Sequence, residues 1–346
     1  MNKNIEVVIS SDEFSDVENG FFDKEIEIKP STAPDWFDKK VPIRREYKRK
    51  NKIYKYKVDR KVYSVNNNIK KIIPIINFEE DTNKESTHDD NTITSKNKSK
   101  KNTCILLDSQ NNIYIDEKGY KIRNFRITDM CLIKDKIVMI SNKSGIMQEM
   151  DIYTKEVVSI RKNTSENGYK KIVAYDNIYL LSDKLYVLDI ENYEITNILE
   201  IGNALDFTIK DNRIFILYKD KIVEYLDYKI NNIVEINGFG IEKIFYLQNK
   251  IYVAQKNELM VFKDSLKKLK GFRRIKGTVK NMVDINGLIF LHTEELNSLR
   301  VIEDDKLIDY IPNSKTKFPI IHGIENINGE VVFSHTKYIS SIKIYN

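Results

Sequence analysis

The feature that most limits how this chain can fold is a unit of short paired strands that recurs along most of its length. Each unit opens with a turn pair such as Asn-Gly or Asp-Asn and continues into an apolar, β-branched strand. Such pairs supply the positive-φ residues of tight hairpins. The first strands of successive units are expected to begin near Ile137, Ile178, Ile214, Ile251, Leu288 and Val331. Their spacing of 36 to 43 residues is typical of four-stranded propeller blades.

An earlier copy of the unit, CILLDSQNNIYIDEKGY at residues 104–120, brings the number of units to seven. Helical periodicity is almost absent, and strand signals recur every ten residues or so. Within one unit, four strands are predicted at 205–209, 213–218, 222–227 and 232–236. The sequence therefore predicts an all-β fold, a seven-bladed WD40-like β-propeller over residues 103–346, with a largely disordered N-terminal extension.

The last unit is incomplete, which bears on how the ring closes. It stops after its third strand, IKIYN, and a missing fourth strand would leave an edge open to other chains. The candidate lies upstream at residues 61–78, in either KVYSV (61–65) or IKKIIPIINF (69–78). We predict that one of these segments inserts beside the C-terminal strands and latches the ring. The alternative is a ring that stays open or has six blades.

The first 60 residues have a charge pattern unlike the rest of the chain. Residues 1–30 hold eight acids against three lysines, and residues 41–61 hold ten bases against two acids. An acidic block followed by a basic block is common in interaction tails. Residues 1–60 are therefore predicted to form a disordered or extended interaction tail. Residues 79–102 are polar and poor in aromatics, which predicts a disordered loop before the first full blade.

Cysteine usage and hydropathy favour a soluble protein inside the cell. Cys104 and Cys131 are too few for a disulfide framework, and both lie in apolar runs that predict reduced core thiols. No apolar run approaches the roughly 18 residues that a membrane span needs. The start MNKNIEVVIS is followed at once by acids and lacks the apolar region and cleavage site of a signal peptide.

The sequence shows no pattern typical of a catalytic, cofactor or metal site. CxxC and HExxH motifs are absent, and so are a Gly-rich phosphate loop and a GxSxG elbow. GFGIE at 238–242 is interpreted as a turn between blades. The histidines, which lack metal-ligand spacing, are His88, His292, His322 and His335. We therefore expect that the protein is not an enzyme; the contrasting hypothesis is a lyase or hydrolase that uses the central channel.

The strongest functional signal is the basic segment VPIRREYKRKNKIYKYKVDRK at residues 41–61. Bases pair with phosphates and release counterions, while interleaved tyrosines stack on unpaired nucleotide bases. Such a run also serves in nuclear import, and the alternative is a solvated linker without a ligand. A second cluster, KKLKGFRRIK at 267–276, is interpreted as either a basic patch or a plain exposed edge. The residues predicted to contact RNA or direct import are Arg44, Arg45, Lys48, Arg49, Lys50, Lys52, Lys55, Lys57, Arg60 and Lys61.

Large aromatic residues also occur outside the part of the chain that can bury them. Trp36 is the only tryptophan, and it lies with Phe37 upstream of every segment that the propeller needs. Phe21 and Phe22 lie further upstream, next to Asp23. Because these side chains have no core of their own to enter, their burial site is expected on a partner or on the outer wall of the ring. We therefore predict that they are docking residues.

Several segments together carry a resemblance to a known family. DWFD at 35–38 is similar to a Trp-acid motif in the N-terminal region of that family. The stretches that resemble its extended segment, first blade, linker region and final blade are 72–87, 111–141, 266–302 and 307–324. The order of an acidic tail, a tryptophan segment, a basic region and a degenerate propeller is also similar. The chain resembles the U3 small-nucleolar-RNA-associated protein 18 family, WD-repeat proteins of the small-subunit processome.

That resemblance implies a non-enzymatic scaffold in the nucleolus that supports U3-dependent processing of pre-18S rRNA. The implied partners are other processome propeller proteins, U3 RNA and pre-18S rRNA, with no membrane, cofactor or small-molecule substrate. The family also carries a docking motif for the exosome-associated RNA helicase, and Phe21, Phe22 and Asp23 lie in about the right place for it. The alternative there is an incidental aromatic pair. The alternative function is a WD40-like adaptor in ubiquitination, chromatin or trafficking.

Overall fold

We describe a computed structural model of this chain. The regular elements in its described part are all β-strands. The structure describes residues 5–6, 47–49, 52–61, 69–75, 104–115, 118–143, 145–162, 168–273, 275, 277–293, 300–303, 305–309, 322–327, 329–334 and 339–345.

Six of the sheets are antiparallel meanders of four strands, in which each strand pairs with its neighbours along the chain. Upstream of them lie β1 (Ile5–Glu6), β2 (Tyr47–Arg49) and β3 (Lys52–Lys61). The first sheet contains β4 (Ile69–Pro74), β5 (Cys104–Asp108), β6 (Asn112–Ile115) and β7 (Lys118–Lys121). The second contains β8 (Asp129–Ile133), β9 (Lys136–Ile140), β10 (Ile146–Asp151) and β11 (Val157–Lys162). The third contains β12 (Lys171–Ala174), β13 (Ile178–Leu181), β14 (Leu185–Leu188) and β15 (Ile195–Leu199).

The later strands repeat this arrangement. The fourth sheet contains β16 (Asp206–Lys210), β17 (Arg213–Leu217), β18 (Lys221–Leu226) and β19 (Lys229–Glu235). The fifth contains β20 (Lys243–Leu247), β21 (Lys250–Gln255), β22 (Glu258–Lys263) and β23 (Phe272–Arg273). The sixth contains β24 (Val279–Ile285), β25 (Leu288–Thr293), β26 (Arg300–Glu303) and β27 (Lys306–Asp309). The chain then continues into β28 (Gly323–Ile327), β29 (Glu330–Ser334) and β30 (Ile339–Tyr345).

Turns with positive φ join the first two strands of several sheets, where the sequence predicts them. Asn286 and Gly287 have φ of 51° and 82° between β24 and β25. Gln248 and Asn249 have φ of 51° and 55° between β20 and β21. Two successive positive-φ residues are characteristic of type I′ turns, whose twist matches that of the flanking antiparallel strands. These turns fix the register of each hairpin.

The core lies between neighbouring sheets, which pack face to face. Phe215 and Leu217 of β17 share one buried cluster with Ile251 and Val253 of β21 and with Phe262 of β22. The second strand of each sheet is covered on both faces, which is why its sequence is a continuous apolar run rather than an alternating one. In β17, four of the five residues are buried.

The first strands of the sheets lie beside one another in chain order. β8 contacts β12, β16 contacts β20, and β20 contacts β24. β24 contacts β28, and β28 in turn contacts β4 of the first sheet. Sheets arranged in this radial way around their first strands form a β-propeller. The all-β propeller predicted from the sequence is therefore confirmed.

A further sheet joins the two ends of the described chain. β3 pairs with β30 in antiparallel register, from Lys55 opposite Tyr345 to Lys61 opposite Ile339. β28 and β29 continue this sheet on one side of β30, and β1 and β2 pair with β3 on the other. An upstream strand does lie beside the C-terminal strand, as the sequence predicts, and it supplies the position that would otherwise be an open edge.

The identity of this closing strand differs from the prediction. The predicted latch, residues 61–78, shares only Lys61 with β3. Its apolar part instead forms β4, in which Ile69, Ile72 and Ile73 are buried. A first strand is covered by neighbouring sheets and requires apolar residues, whereas a strand near the outer edge of a sheet tolerates charge. The basic segment, which the sequence assigned to the tail, is therefore compatible with the outer position.

Two other predicted regions fall largely or wholly outside the described residues. Residues 79–102, predicted as a disordered loop, lie outside them. Of residues 1–60, predicted as a tail, the structure describes β1, β2 and all of β3 except Lys61. β4, the first strand of the first four-stranded sheet, lies before the predicted boundary at residue 103.

We expect that Gly168→Ala lowers the free energy of unfolding by about 3 kcal/mol, because a Cβ atom there overpacks a tight contact. A Cβ at Gly168 would lie 2.1 Å from the backbone oxygen of Asn142. The contact is fixed because Tyr169 donates its N–H to the Ser141 carbonyl at 3.2 Å. Chemical denaturation measures the change.

Gly323→Ala is the matched control for this substitution. A Cβ at Gly323 would meet the Ser334 Oγ at 3.5 Å, which is ordinary van der Waals contact. We expect a change of less than about 1 kcal/mol for this variant. Equal unfolding midpoints for the two variants would contradict the close approach of Gly168 to the second sheet.

Candidate functional site

One end of the propeller carries several connections between sheets, and we call this end the entry face. It is the end at which the first strand of each sheet begins and the second strand ends. Among the described residues it includes the connections between sheets at 122–128, 200–205 and 236–242 and the turns at 109–111, 141–143 and 218–220. Connecting segments on a rigid propeller are the usual location of binding residues.

Charged pairs connect the first strands at this end. Lys71 of β4 forms an ion pair with Asp129 at the start of β8. The second carboxylate oxygen of Asp129 accepts the backbone N–H of Ile172 in β12 at 3.1 Å. One aspartate therefore holds three successive sheets together.

The same arrangement recurs two sheets further along. Lys171 Nζ lies 2.7 Å from Asp206 Oδ1, and the carboxylate of Asp206 is buried. Lys171 also donates to the carbonyl of Phe207 at 2.7 Å. The other oxygen of Asp206 accepts the N–H of Ile244 in β20 at 3.0 Å.

Amide side chains, rather than charged pairs, connect the sixth sheet to β28. Asn281 Nδ2 donates to the carbonyl of Ile324 at 2.7 Å, and Asn326 Nδ2 donates to the carbonyl of Asp284 at 2.8 Å. Ser334 Oγ donates to the carbonyl of Ile69 at 3.3 Å and so connects β29 to β4. These contacts between first strands fix the sheets relative to one another.

The pKa shifts of Lys71 and Cys131 at this end are those of structural groups rather than of reactive ones. Partial burial works to lower the pKa of Lys71, but the carboxylate of Asp129 outweighs it and raises that pKa above its usual value. The ammonium group therefore stays charged. Burial raises the pKa of the Cys131 thiol to about 12, so this cysteine is a protonated thiol rather than a nucleophile. Neither Cys104 nor Cys131 forms a disulfide, which agrees with the prediction of reduced thiols, and both are half-buried.

The histidines contribute no metal centre in the part of the chain that is described. His292 is buried in β25. Desolvation lowers the pKa of His322, which keeps its imidazole neutral at pH 7. No group of three or more His, Cys, Asp or Glu side chains among the described residues is arranged to hold a metal ion. His88 and His335 lie outside the described residues.

The predicted RNA-contacting segment is only partly described. Arg44, Arg45 and Lys50 lie outside the described residues. Lys48 and Arg49 belong to β2, where Lys48 pairs with Ile53 and Arg49 with Lys52. The predicted residues that belong to the closing strand β3 are Lys52, Lys55, Lys57, Arg60 and Lys61. The backbone of this part of the segment is therefore held by pairing with β30.

The predicted docking residues Phe21, Phe22, Asp23, Trp36 and Phe37 all lie outside the described residues, and their role stays a prediction. The second basic cluster is described at 267–273 and at 275. Lys267, Lys268 and Lys270 are exposed there, beside the short outer strand β23. This position corresponds to the exposed edge of the fifth sheet.

The structure also reveals exposed apolar residues that the sequence reasoning missed. Phe239 is 81% exposed, in the turn between the fourth and fifth sheets. Leu205, in the preceding connection between sheets, is 40% exposed. Both lie on the entry face. The available sequence signal was the aromatic between two glycines in GFGIE, a turn that is confirmed to join two sheets.

The described part of the chain contains no helix of the length and apolarity required to cross a membrane.

Comparison with known proteins supports the fold and nothing finer. No protein-family model and no curated protein matches this sequence. The streptogramin B lyase structure is similar over 84% of this chain and 98% of the lyase chain, with a TM-score of 0.59 at 12% identity. The WD40 β-propeller domain of Doa1 is similar over 70% of this chain and 88% of its own, with a TM-score of 0.55 at 10% identity.

A third similar structure is BamB from Moraxella catarrhalis. It covers 70% of this chain and 79% of its own chain, with a TM-score of 0.52 and 13% identity. Likenesses at such low identity establish a shared β-propeller architecture, on which many unrelated functions occur.

Proposed function

We propose that this protein is a non-enzymatic propeller scaffold that docks protein partners on its entry face. The observation that carries the proposal is a rigid ring whose first strands are fixed by buried polar contacts, with a large exposed aromatic, Phe239, on the same end. Exposed aromatics on rigid turns are typical anchors of protein interfaces. The similarity to a WD40 propeller domain supports the same class of function.

We further propose that the ring has seven blades, the seventh being the sheet of β3, β30, β29 and β28. The contacts of β28 with both β24 and β4 support this count. A density map of the purified protein, viewed along the ring axis, tests it. Six blades with a separate terminal sheet would overturn the proposal.

For the cellular role, we propose a scaffold of the small-subunit processome in the nucleolus that supports U3-dependent processing of pre-18S rRNA. The support is the resemblance of several segments to the U3 small-nucleolar-RNA-associated protein 18 family, together with the propeller fold. The proposed partners are other processome propellers, U3 RNA, pre-18S rRNA and, through Phe21 and Phe22, the exosome-associated RNA helicase. The alternative is an adaptor in ubiquitination, chromatin or trafficking.

Affinity purification of the tagged, full-length protein separates these roles. Recovery of U3 RNA, pre-18S rRNA and other propeller proteins, with nucleolar fluorescence of a tagged copy, supports the processome role. Recovery of cytosolic partners alone contradicts it and favours the adaptor.

Replacing Phe239 by alanine is expected to weaken partner binding about tenfold or more, as loss of an aromatic anchor does. The free energy of unfolding should change by less than about 0.5 kcal/mol, because the side chain is exposed. Quantitative pull-down and thermal unfolding measure the two effects. Tyr153→Ala is the control, since Tyr153 is 72% exposed in a turn at the opposite end of the ring. Equal partner recovery by both variants would show that the anchor lies elsewhere.

A further inference from the structure

A cleft on the entry face, between the first and second sheets, concentrates positive charge. Its volume is about 730 Å³. Lys121 ends β7, Arg123 and Arg126 lie in the connection from β7 to β8, and Lys143 lies in the turn after β9. No Asp or Glu is among the described residues that line the cleft.

These four cations are exposed, and no ion pair joins any of them to a carboxylate of the described residues. Other surface lysines of the propeller do have such partners. Lys134 Nζ lies 2.5 Å from Glu191 Oε2, and Lys184 Nζ lies 2.6 Å from Glu200 Oε1. Four unneutralised cations around one concave surface produce a positive potential that attracts anions.

A hydrogen-bond acceptor without a donor lies in the same cleft. Asn111 Oδ1 is buried and has no hydrogen-bond partner. The turn that carries Asn111 is fixed, because the Asp108 carboxylate accepts the backbone N–H groups of Gln110 and Asn112, each at 2.8 Å. A buried acceptor of this kind calls for a donor from a ligand or a water molecule. An anion that carried only acceptor oxygens would leave it unsatisfied.

We propose that this cleft binds a short stretch of single-stranded RNA. Phosphodiesters would pair with the four cations, and a ribose hydroxyl or an amino group of a base would donate to Asn111 Oδ1. Arginine side chains such as Arg123 and Arg126 also offer planar groups on which unpaired bases stack. The volume lies in the range of sites that hold whole small molecules, which is more than one phosphate needs.

The charge of the cleft favours RNA over a phosphorylated peptide. One phosphorylated side chain carries a charge of about −2, whereas successive nucleotides present one negative charge each. Four separate cations therefore match a run of phosphates better than a single one. This proposal rests on the RNA-binding part of the proposed scaffold function. The cleft is the surface that would contact the RNA.

Fluorescence anisotropy with the full-length protein and a labelled single-stranded RNA of about 12 nucleotides tests the proposal; this length exceeds the few nucleotides that one small groove contacts. The test variant is Arg123→Glu with Arg126→Glu. We expect its dissociation constant to rise about tenfold or more in about 0.1 M salt. The slope of log K against log[salt] should fall by about 1.4, which corresponds to two lost phosphate contacts on a single strand.

The matched control is Lys219→Glu with Lys229→Glu. Both lysines are exposed, in the fourth sheet and away from the cleft, and neither forms an ion pair with a described residue. The control changes the net charge by the same amount and is expected to alter the affinity less than about threefold, through the general field alone. A second variant, Asn111→Asp, keeps a residue that tolerates the left-handed φ of 66° but adds an anion to the cleft, and it should also weaken binding.

Three outcomes would overturn the proposal. The first is an equal loss of affinity in the test and control variants. The second is unchanged binding by the test variant while neutralising the bases of 44–61 abolishes it. The third is tighter binding of a phosphopeptide than of the RNA. Recovery of processome proteins in the purification, together with any of these results, would leave the scaffold role standing and remove only this site.

Discussion

Replacement of Lys57 and Val58 in the closing strand by proline is expected to destabilise the propeller by about 3 kcal/mol or more. These residues pair with Lys343 and Ile342 of β30. Successive N–H groups of a strand point to opposite sides, so one of the two prolines must remove a hydrogen-bond donor that faces β30. Loss of that pairing leaves β30 as an unprotected edge. Thermal and chemical unfolding measure the loss of stability, and light scattering measures aggregation.

The control for this variant is Lys57→Ala with Val58→Ala, which removes the same side chains and keeps both N–H groups. If β3 stabilises the propeller through its backbone hydrogen bonds, the double alanine variant should be much more stable than the double proline variant. If the two variants unfold at the same midpoint, β3 does not close the ring.

The second large effect is expected at the buried carboxylate of Asp206. Asp206→Ala removes the acceptor of both Lys171 Nζ and the Ile244 N–H, and it leaves a partly buried cation without its partner. Breaking a buried pair in this way costs about 3 to 5 kcal/mol. Asp206→Asn should cost less, because an amide oxygen still accepts the N–H of Ile244. Denaturant titration of the three proteins measures this order.

A surface ion pair provides the comparison for Asp206. Glu200 lies 2.6 Å from Lys184, and its side chain is 73% exposed. Glu200→Ala should therefore change the free energy of unfolding by less than about 1 kcal/mol. Similar losses for Asp206→Ala and Glu200→Ala would mean that the carboxylate of Asp206 does not hold the third, fourth and fifth sheets together.

The repeat of the sequence was sufficient to predict the propeller, because strand periodicity and turn pairs are local signals. The closing strand was harder to predict, since KIYKYKVDRK reads as a charged segment and only its pairing with β30 gives it a place in a sheet. The apolar run at 69–78 was one of the two candidates for that position, because hydrophobicity alone does not distinguish a first strand from a last one. Outer strands are selected by the partner they pair with, which the local sequence does not encode.

In the candidate site too, features set by neighbouring residues could be predicted, whereas contacts between distant residues could not. The aspartates that connect the sheets each open a first strand, so the position of Asp206 next to an apolar run is visible in the sequence. Its partners are not, because Lys171 lies 35 residues before it and Ile244 lies 38 residues after it. The cleft of Arg123 and Arg126 was likewise missed, since its second wall comes from a turn in another sheet. The basic segment at 44–61 was prominent because all its charges lie in one short stretch of the sequence.

The pairing of β3 with β30 also has a consequence for synthesis on the ribosome. Lys61 and its partner Ile339 are separated by 278 residues of chain. β3 is thus translated before every four-stranded sheet, and β30, with which it pairs in the folded chain, is the last described strand to emerge. Contacts of such long range form slowly, and unpaired strands are prone to aggregate while they wait. We therefore expect the yield of folded protein to depend on how well β3 is kept from aggregating until β30 has been made.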